Sequence, residues 1–132
     1  MAAETLGTGR RFIVELGTGA DLHGMDVTKA ACRAVRDAIG HSCLCGLVEV
    51  LGMKNLDQIE VEIQIACPDP ERLDLEAVKA QVPIGTKSVR AEPGGMSTAG
   101  ICVDRFAAGC DTIVVANAAV IVRVAPERSE PA

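Results

Sequence analysis

The sequence predicts an α+β domain, a two-layer sandwich in which a mostly antiparallel sheet carries its helices on one face. Three observations lead there. Segment 58–67 alternates apolar Ile59, Val61, Ile63, Ile65 and Cys67 with polar Gln58, Glu60, Glu62 and Gln64, the pattern of a strand with one covered and one wet face. Val27, Ala30, Ala31, Ala34, Val35 and Ala38 recur at helical spacing and form one apolar stripe. The chain has no Trp, no Tyr and 2 Phe, so Val, Ile, Leu and Ala must fill the core, and a helix faced with Ala can approach a sheet closely. At 132 residues one such domain is expected, spanning 11–124.

Each element has a local reason. Residues 1–10 are small and polar, lack the apolar stretch of a signal peptide, and are expected to be flexible. Residues 11–16 read as a strand ended by Gly17, and a glycine-rich loop follows over 17–24. Asp26 then caps the striped helix, with Thr28, Lys29, Arg33, Arg36 and Asp37 mostly on its other side and Gly40 as its stop. Residues 44–51 form a shorter helix ended by Gly52, or continue one long helix kinked near Gly40. The strand 58–67 stops at Pro68 and Pro70, and Asp74 caps a short helix through Gln81. Residues 87–92 and 96–103 flank Pro93, Gly94 and Gly95 and read as a β-hairpin. The apolar run 112–124 is a last strand, and 125–132 a polar tail.

Composition narrows the function classes. A hydrophobic content of 48% and a mean hydropathy of +0.26 describe a globular chain. The net charge is −5 and the 13 Lys and Arg are scattered, which argues against nucleic acid as a partner. No apolar run approaches the roughly 20 residues of a membrane span. With no export signal, the six cysteines (Cys32, Cys43, Cys45, Cys67, Cys102 and Cys110) read as reduced thiols of a cytoplasmic protein, acting as small hydrophobes. A small domain with flat apolar strands often completes its core by oligomerising.

The chemistry concentrates in the loop Gly17, Thr18, Gly19, Ala20, Asp21, Leu22, His23 and Gly24. Glycines at 17, 19 and 24 permit an anion-binding nest of backbone N–H groups beside the helix start, so Gly17, Thr18, Gly19 and Gly24 are candidate ligand-binding residues for a small anionic metabolite. The spacing is neither a dinucleotide fingerprint nor a P-loop. Asp21 and His23, two apart in extended chain, point the same way. They can share one divalent ion or act as an acid/base pair; alternatively, Asp21 caps a turn and His23 is a half-exposed loop residue. His41 begins the spacing H-x-C-x-C with Cys43 and Cys45, which supplies soft ligands for zinc or simply packs a helix end; His41 is a candidate ligand in trans. Asn117, amid apolar neighbours, requires buried hydrogen-bond partners or an interface and is a further candidate ligand-binding residue. Glu60, Glu62 and Gln64 read as a solvated face, or as the lining of a channel in an oligomer. Asp104, Arg105, Asp111 and Thr112 lie near strand ends.

Three segments together, 12–31, 41–46 and 111–119, resemble the Lin-type family of conserved hypothetical proteins, marked by G-x-G-x-D-x-H-G. The resemblance covers about residues 11–124 and implies no activity. A partial likeness links the strand running into G-x-G-x-D-x-H, and the pattern of 106–119, to methylerythritol cyclodiphosphate synthase. That likeness implies that Asp21 and His23 bind a divalent metal at the interface of a trimer. The third ligand of that family, a His in the following helix, is replaced here by Lys29, Ala30 and Ala31. The expectation is therefore a cytoplasmic homotrimer with zinc, or another divalent ion, on Asp21, His23 and a completing group such as His41. Its chemistry would be that of a lyase or hydrolase acting on a small anionic metabolite, with Asp21 and His23 catalytic. The alternative is a non-catalytic ligand-binding or assembly module.

Overall fold

The apolar stripe at 27–38 becomes helix α1 (Val27–Ile39), and its seat over the sheet organises the chain. The structure, a computed structural model, describes residues 9–101 and 111–125. In chain order these form β1 (Arg10–Asp21), α1, α2 (Cys45–Glu49), β2 (Glu60–Cys67), α3 (Leu75–Lys79), β3 (Thr86–Pro93), β4 (Met96–Ala99) and β5 (Thr112–Val124). The strands make one mixed sheet in the order β1-β5-β2-β3, and β4 also pairs with β5. β5 is antiparallel to β1, β2 and β4, while β2 and β3 are parallel. The mostly antiparallel α+β sheet expected from the sequence is present, with one parallel pair.

The caps act as the sequence predicts. Asp26 accepts from the Lys29 N–H at 3.0 Å, and Asp74 accepts from the N–H groups of Glu76 and Ala77 at 3.1 and 3.2 Å. Thr28 Oγ1 accepts from the Asp74 N–H at 3.0 Å and ties the start of α3 to α1. All six stripe residues are buried, against Val61, Ile63 and Ile65 of β2 and Val114, Ala116, Ala118, Val120 and Val122 of β5. Of the two readings for 26–51, separate helices are realised. Both α2 and α3 are shorter than their apolar patterns suggest.

Two local expectations are overturned. First, β1 does not stop at Gly17 but stays paired with β5 as far as Asp21↔Val114. A Cβ on Gly17 would lie 2.2 Å from the Ala34 carbonyl oxygen, and one on Gly19 2.4 Å from both Ala30 O and Ala34 N. These glycines let α1 lie against the strand; they do not shape a loop. Second, 86–99 is not a hairpin. β3 runs parallel to β2, and β4 continues in the same direction, pairing Met96↔Val115 just beyond the last β2 pair, Ala66↔Asn117. Pro93, Gly94 and Gly95 step the chain sideways onto β5; a Cβ on Gly95, at φ +66°, would sit 2.0 Å from Val115 O. The expected second strand beyond 101, the tail from 126 and the first eight residues lie outside the described residues, as do Cys102, Asp104, Arg105, Phe106 and Cys110.

The helices lie over one face of the sheet. On the other face, Glu62 is not solvated as its place in the alternation predicts. It is 3% exposed and accepts from Arg123 Nε at 3.2 Å, while Arg123 Nη1 donates to Gly9 O at 2.8 Å. β2 is an inner strand, and the Arg123 side chain from β5 lies against Glu62 and shields it.

Candidate functional site

Asp21 is the last residue of β1, on the strand face that meets α1, and is 3% exposed. Its Oδ2 accepts from the Asp26 N–H at 2.9 Å, and its Oδ1 lies 3.8 Å from Arg33 Nη1. The chain between turns through Gly24 at φ +99° and Met25 at φ +54°. Asp21 therefore closes the turn that feeds α1, the role the sequence offered as an alternative to metal binding. His23 is half-buried and has an interaction of its own. Because β1 ends at Asp21, the strand alternation that would aim both side chains alike does not reach His23.

His41 sits past the other end of α1, which at 13 residues is about 20 Å long. It is 68% exposed, with Nε2 3.3 Å from Asp37 Oδ1. Cys43 and Cys45 are exposed, contrary to their reading as small core hydrophobes, whereas Cys32 and Cys67 are buried as expected. Burial pushes the Cys32 and Cys67 thiols above the usual thiol range. Among the described residues, no group of three or more His, Cys, Asp or Glu is placed to hold a metal ion.

The glycine segment has a different logic from a nest. Gly24 has positive φ, but Gly17 and Gly19 do not. The Thr18 N–H, on the free edge of β1, donates to Asp37 Oδ2 at 2.9 Å, and Ala20 O accepts from Arg33 Nη1 at 2.7 Å. Arg33 and Asp37, one turn apart on α1, thus bind the edge strand's free donor and acceptor. A donor that an anion would use is already held by a carboxylate. Asn117 is exposed rather than buried, opposite Thr18 in the β1–β5 register. Both border a shallow depression with Leu16 and Asp37.

Sequence reasoning missed Glu15. It is 7% exposed and shares the helix-facing side of β1 with Gly17 and Gly19. It lines a cavity of about 180 Å³ near the end of α1. The sequence signal points the other way: alternation groups apolar Phe12, Val14 and Leu16 on one face and sets Glu15 on the opposite one, and only the packing of α1 shows that the Glu15 face is the inner one.

No helix of the described residues is long and apolar enough to cross a membrane. None of the curated proteins matches the chain. A solved structure from Nostoc punctiforme PCC 73102, described as an FtsZ-like protein of unknown function, is 39% identical, with a TM-score of 0.82, covering 89% of this chain and 98% of that one. A family model described as conserved hypothetical protein (Lin0512_fam) matches residues 11–122. The glycines that seat α1, the Asp21 turn and the edge held by Arg33 and Asp37 all lie within that match, and the chain belongs to this family of conserved hypothetical proteins.

Proposed function

We propose that this protein is a non-catalytic assembly module that associates with copies of itself through the sheet face opposite the helices. The observation that carries the reading is the outer face of β1, where Leu16 is 71% and Val14 44% exposed. Beside them on β5 lie half-buried Ile113, Val115, Ala119 and Ile121, and no described helix lies over them. Apolar surface grouped in this way, broken only at Thr18 and Asn117, marks an interaction site more often than a scattering of single residues does. The free edge of β1 is the other route to association, and Arg33 and Asp37 obstruct it at Thr18 and Ala20. Strand spacing and rise make the whole face of β1, β5, β2 and β3 roughly 20 by 25 Å, with the apolar stripe on about half of it, so the ~800 Å² per partner of a stable interface takes in the polar half as a rim.

A closed ring such as the expected homotrimer satisfies this surface, as does a dimer. Mass measurement by light scattering during gel filtration tests it. The wild-type chain is expected to run as an oligomer and Leu16→Lys to shift toward monomer with an unchanged far-ultraviolet spectrum. A monomeric wild type at tens of micromolar (~5–7 kcal/mol of association), or an unshifted variant, would sink the proposal.

The metal-dependent lyase or hydrolase draws less support, because Asp21 is already engaged by the Asp26 N–H and Arg33. Its test is zinc and manganese content of the purified chain against an Asp21→Ala/His23→Ala variant. Metal at one ion per chain in the first and none in the second would revive that reading. The anionic metabolite fares similarly, since Asp37 occupies the Thr18 N–H.

A further inference from the structure

Glu15 is the polar group that the fold leaves unaccounted for. It is 7% exposed on the helix-facing side of β1. Among the described residues no hydrogen bond or ion pair reaches it, although Arg123, Glu62 and Asp21, the other buried charges described, are all paired. None of the buried side-chain oxygens of the described residues is sealed off without a partner, so the Glu15 carboxylate opens onto the cavity it lines. That cavity, of about 180 Å³, is walled by apolar side chains, among them Leu44, Val61, Ile84 and Val122, with Ser42 as the remaining polar residue.

A carboxylate in apolar surroundings is stable when it takes up a proton or meets a cation. No Lys, Arg or His of the described residues lines the cavity. We propose that the cavity binds a small organic cation, an aliphatic amine whose ammonium meets Glu15 and whose hydrocarbon body fills the apolar walls. An ammonium brings three N–H donors, which the carboxylate and the Ser42 hydroxyl oxygen can share. A cavity of ~150 Å³ accommodates a molecule of about six heavy atoms such as benzene, which sets the size of the ligand. Charge agrees as well: the chain carries a net −5, so an anion is repelled and a cation drawn in. The site is independent of the assembly surface, because Leu16, the next residue, points to the opposite face of the sheet.

Titration calorimetry at pH 8 with cyclopentylamine and with its neutral isostere cyclopentanol tests the proposal. The amine is expected to bind at least ~10-fold tighter than the alcohol, about 1.4 kcal/mol. In Glu15→Gln that preference falls to near parity, with the thermal melt confirming that the variant folds. Equal affinities in the wild type, no binding of the amine, or an amine preference kept by Glu15→Gln would each overturn it. Should Glu15→Gln not fold, the carboxyl ¹³C resonance of Glu15 in the unmodified protein decides alone. It is expected to move on adding the amine and to stay put with the alcohol; a resonance that ignores the amine refutes the site.

Discussion

Replacing Gly19 with alanine is expected to destabilise the protein by about 3 kcal/mol, near the top of the overpacking range. The new Cβ would stand 2.4 Å from Ala30 O and from Ala34 N, where ordinary contact begins at 3.4 Å. Both obstacles are main-chain atoms of α1, so no side-chain rotation relieves them and the helix must back away by about 1 Å. A gap of that size forfeits roughly a quarter to a half of the dispersion between helix and sheet. The loss falls on Ala30, Ala31, Ala34 and Val35, all buried against the sheet. At roughly 4 °C per kcal/mol for a domain of this length, the melting point drops by about 12 °C. Urea and thermal unfolding followed by circular dichroism measure it, with an unchanged urea slope as the sign of a true stability change. Gly17→Ala, whose Cβ meets Ala34 O at 2.2 Å, should behave alike. Gly24→Ala is the control. Its φ of +99° strains an alanine, but the nearest atom is Asp21 Oδ2 at 3.6 Å, so the loss should be about 1 kcal/mol. If the strand glycines cost no more than Gly24, they do not seat the helix and the loop reading returns.

Further outcomes follow from the buried polar groups and the cysteines. Asp21→Ala leaves the Asp26 N–H without its acceptor and Arg33 without its carboxylate, and should cost about 2 kcal/mol, equally with and without a metal chelator. A loss that appears only when chelator is absent would assign Asp21 to a metal instead. Arg123→Met removes the guanidinium from Glu62 and the donor from Gly9 O, and should cost about 3 kcal/mol at pH 7; a change under ~0.5 kcal/mol would place the pair among ordinary surface contacts. Brief iodoacetamide treatment of the native protein should label Cys43 and Cys45 well before Cys32 and Cys67, whose thiols are buried and pushed toward the protonated form. Peptide mass spectrometry reads the order, and equal labelling of all four would contradict it.

Much of the fold was legible wherever a periodic pattern or a cap is complete within one segment. The stripe of α1 is such a case, with the Asp26 cap beginning it. So is the last strand, whose bounds at Thr112–Val124 match the apolar run. The site was less legible. Gly17 and Gly19 look like loop residues to any local rule, because the atoms that demand glycine there belong to α1 and lie more than ten residues away. Pro93, Gly94 and Gly95 read as a reversing turn for the same reason; what they accommodate is β5. Glu15 was hidden for the same reason: alternation with Phe12, Val14 and Leu16 sets it on the wet side, and only the seat of α1 turns that side inward.

The sequence by itself determined the α+β class, the one-sided helix layer and the local caps, because these depend on periodicity and on side chains bonding to their own neighbours. Only the tertiary structure decided what the glycine and aspartate segment is for. Which face of a strand meets a helix, how closely two backbones approach, and whether a carboxylate finds a donor are set by residues distant in the chain. By those contacts Asp21 closes a turn, Arg33 and Asp37 hold an edge, and Glu15, alone among the buried charges described, is left facing a cavity.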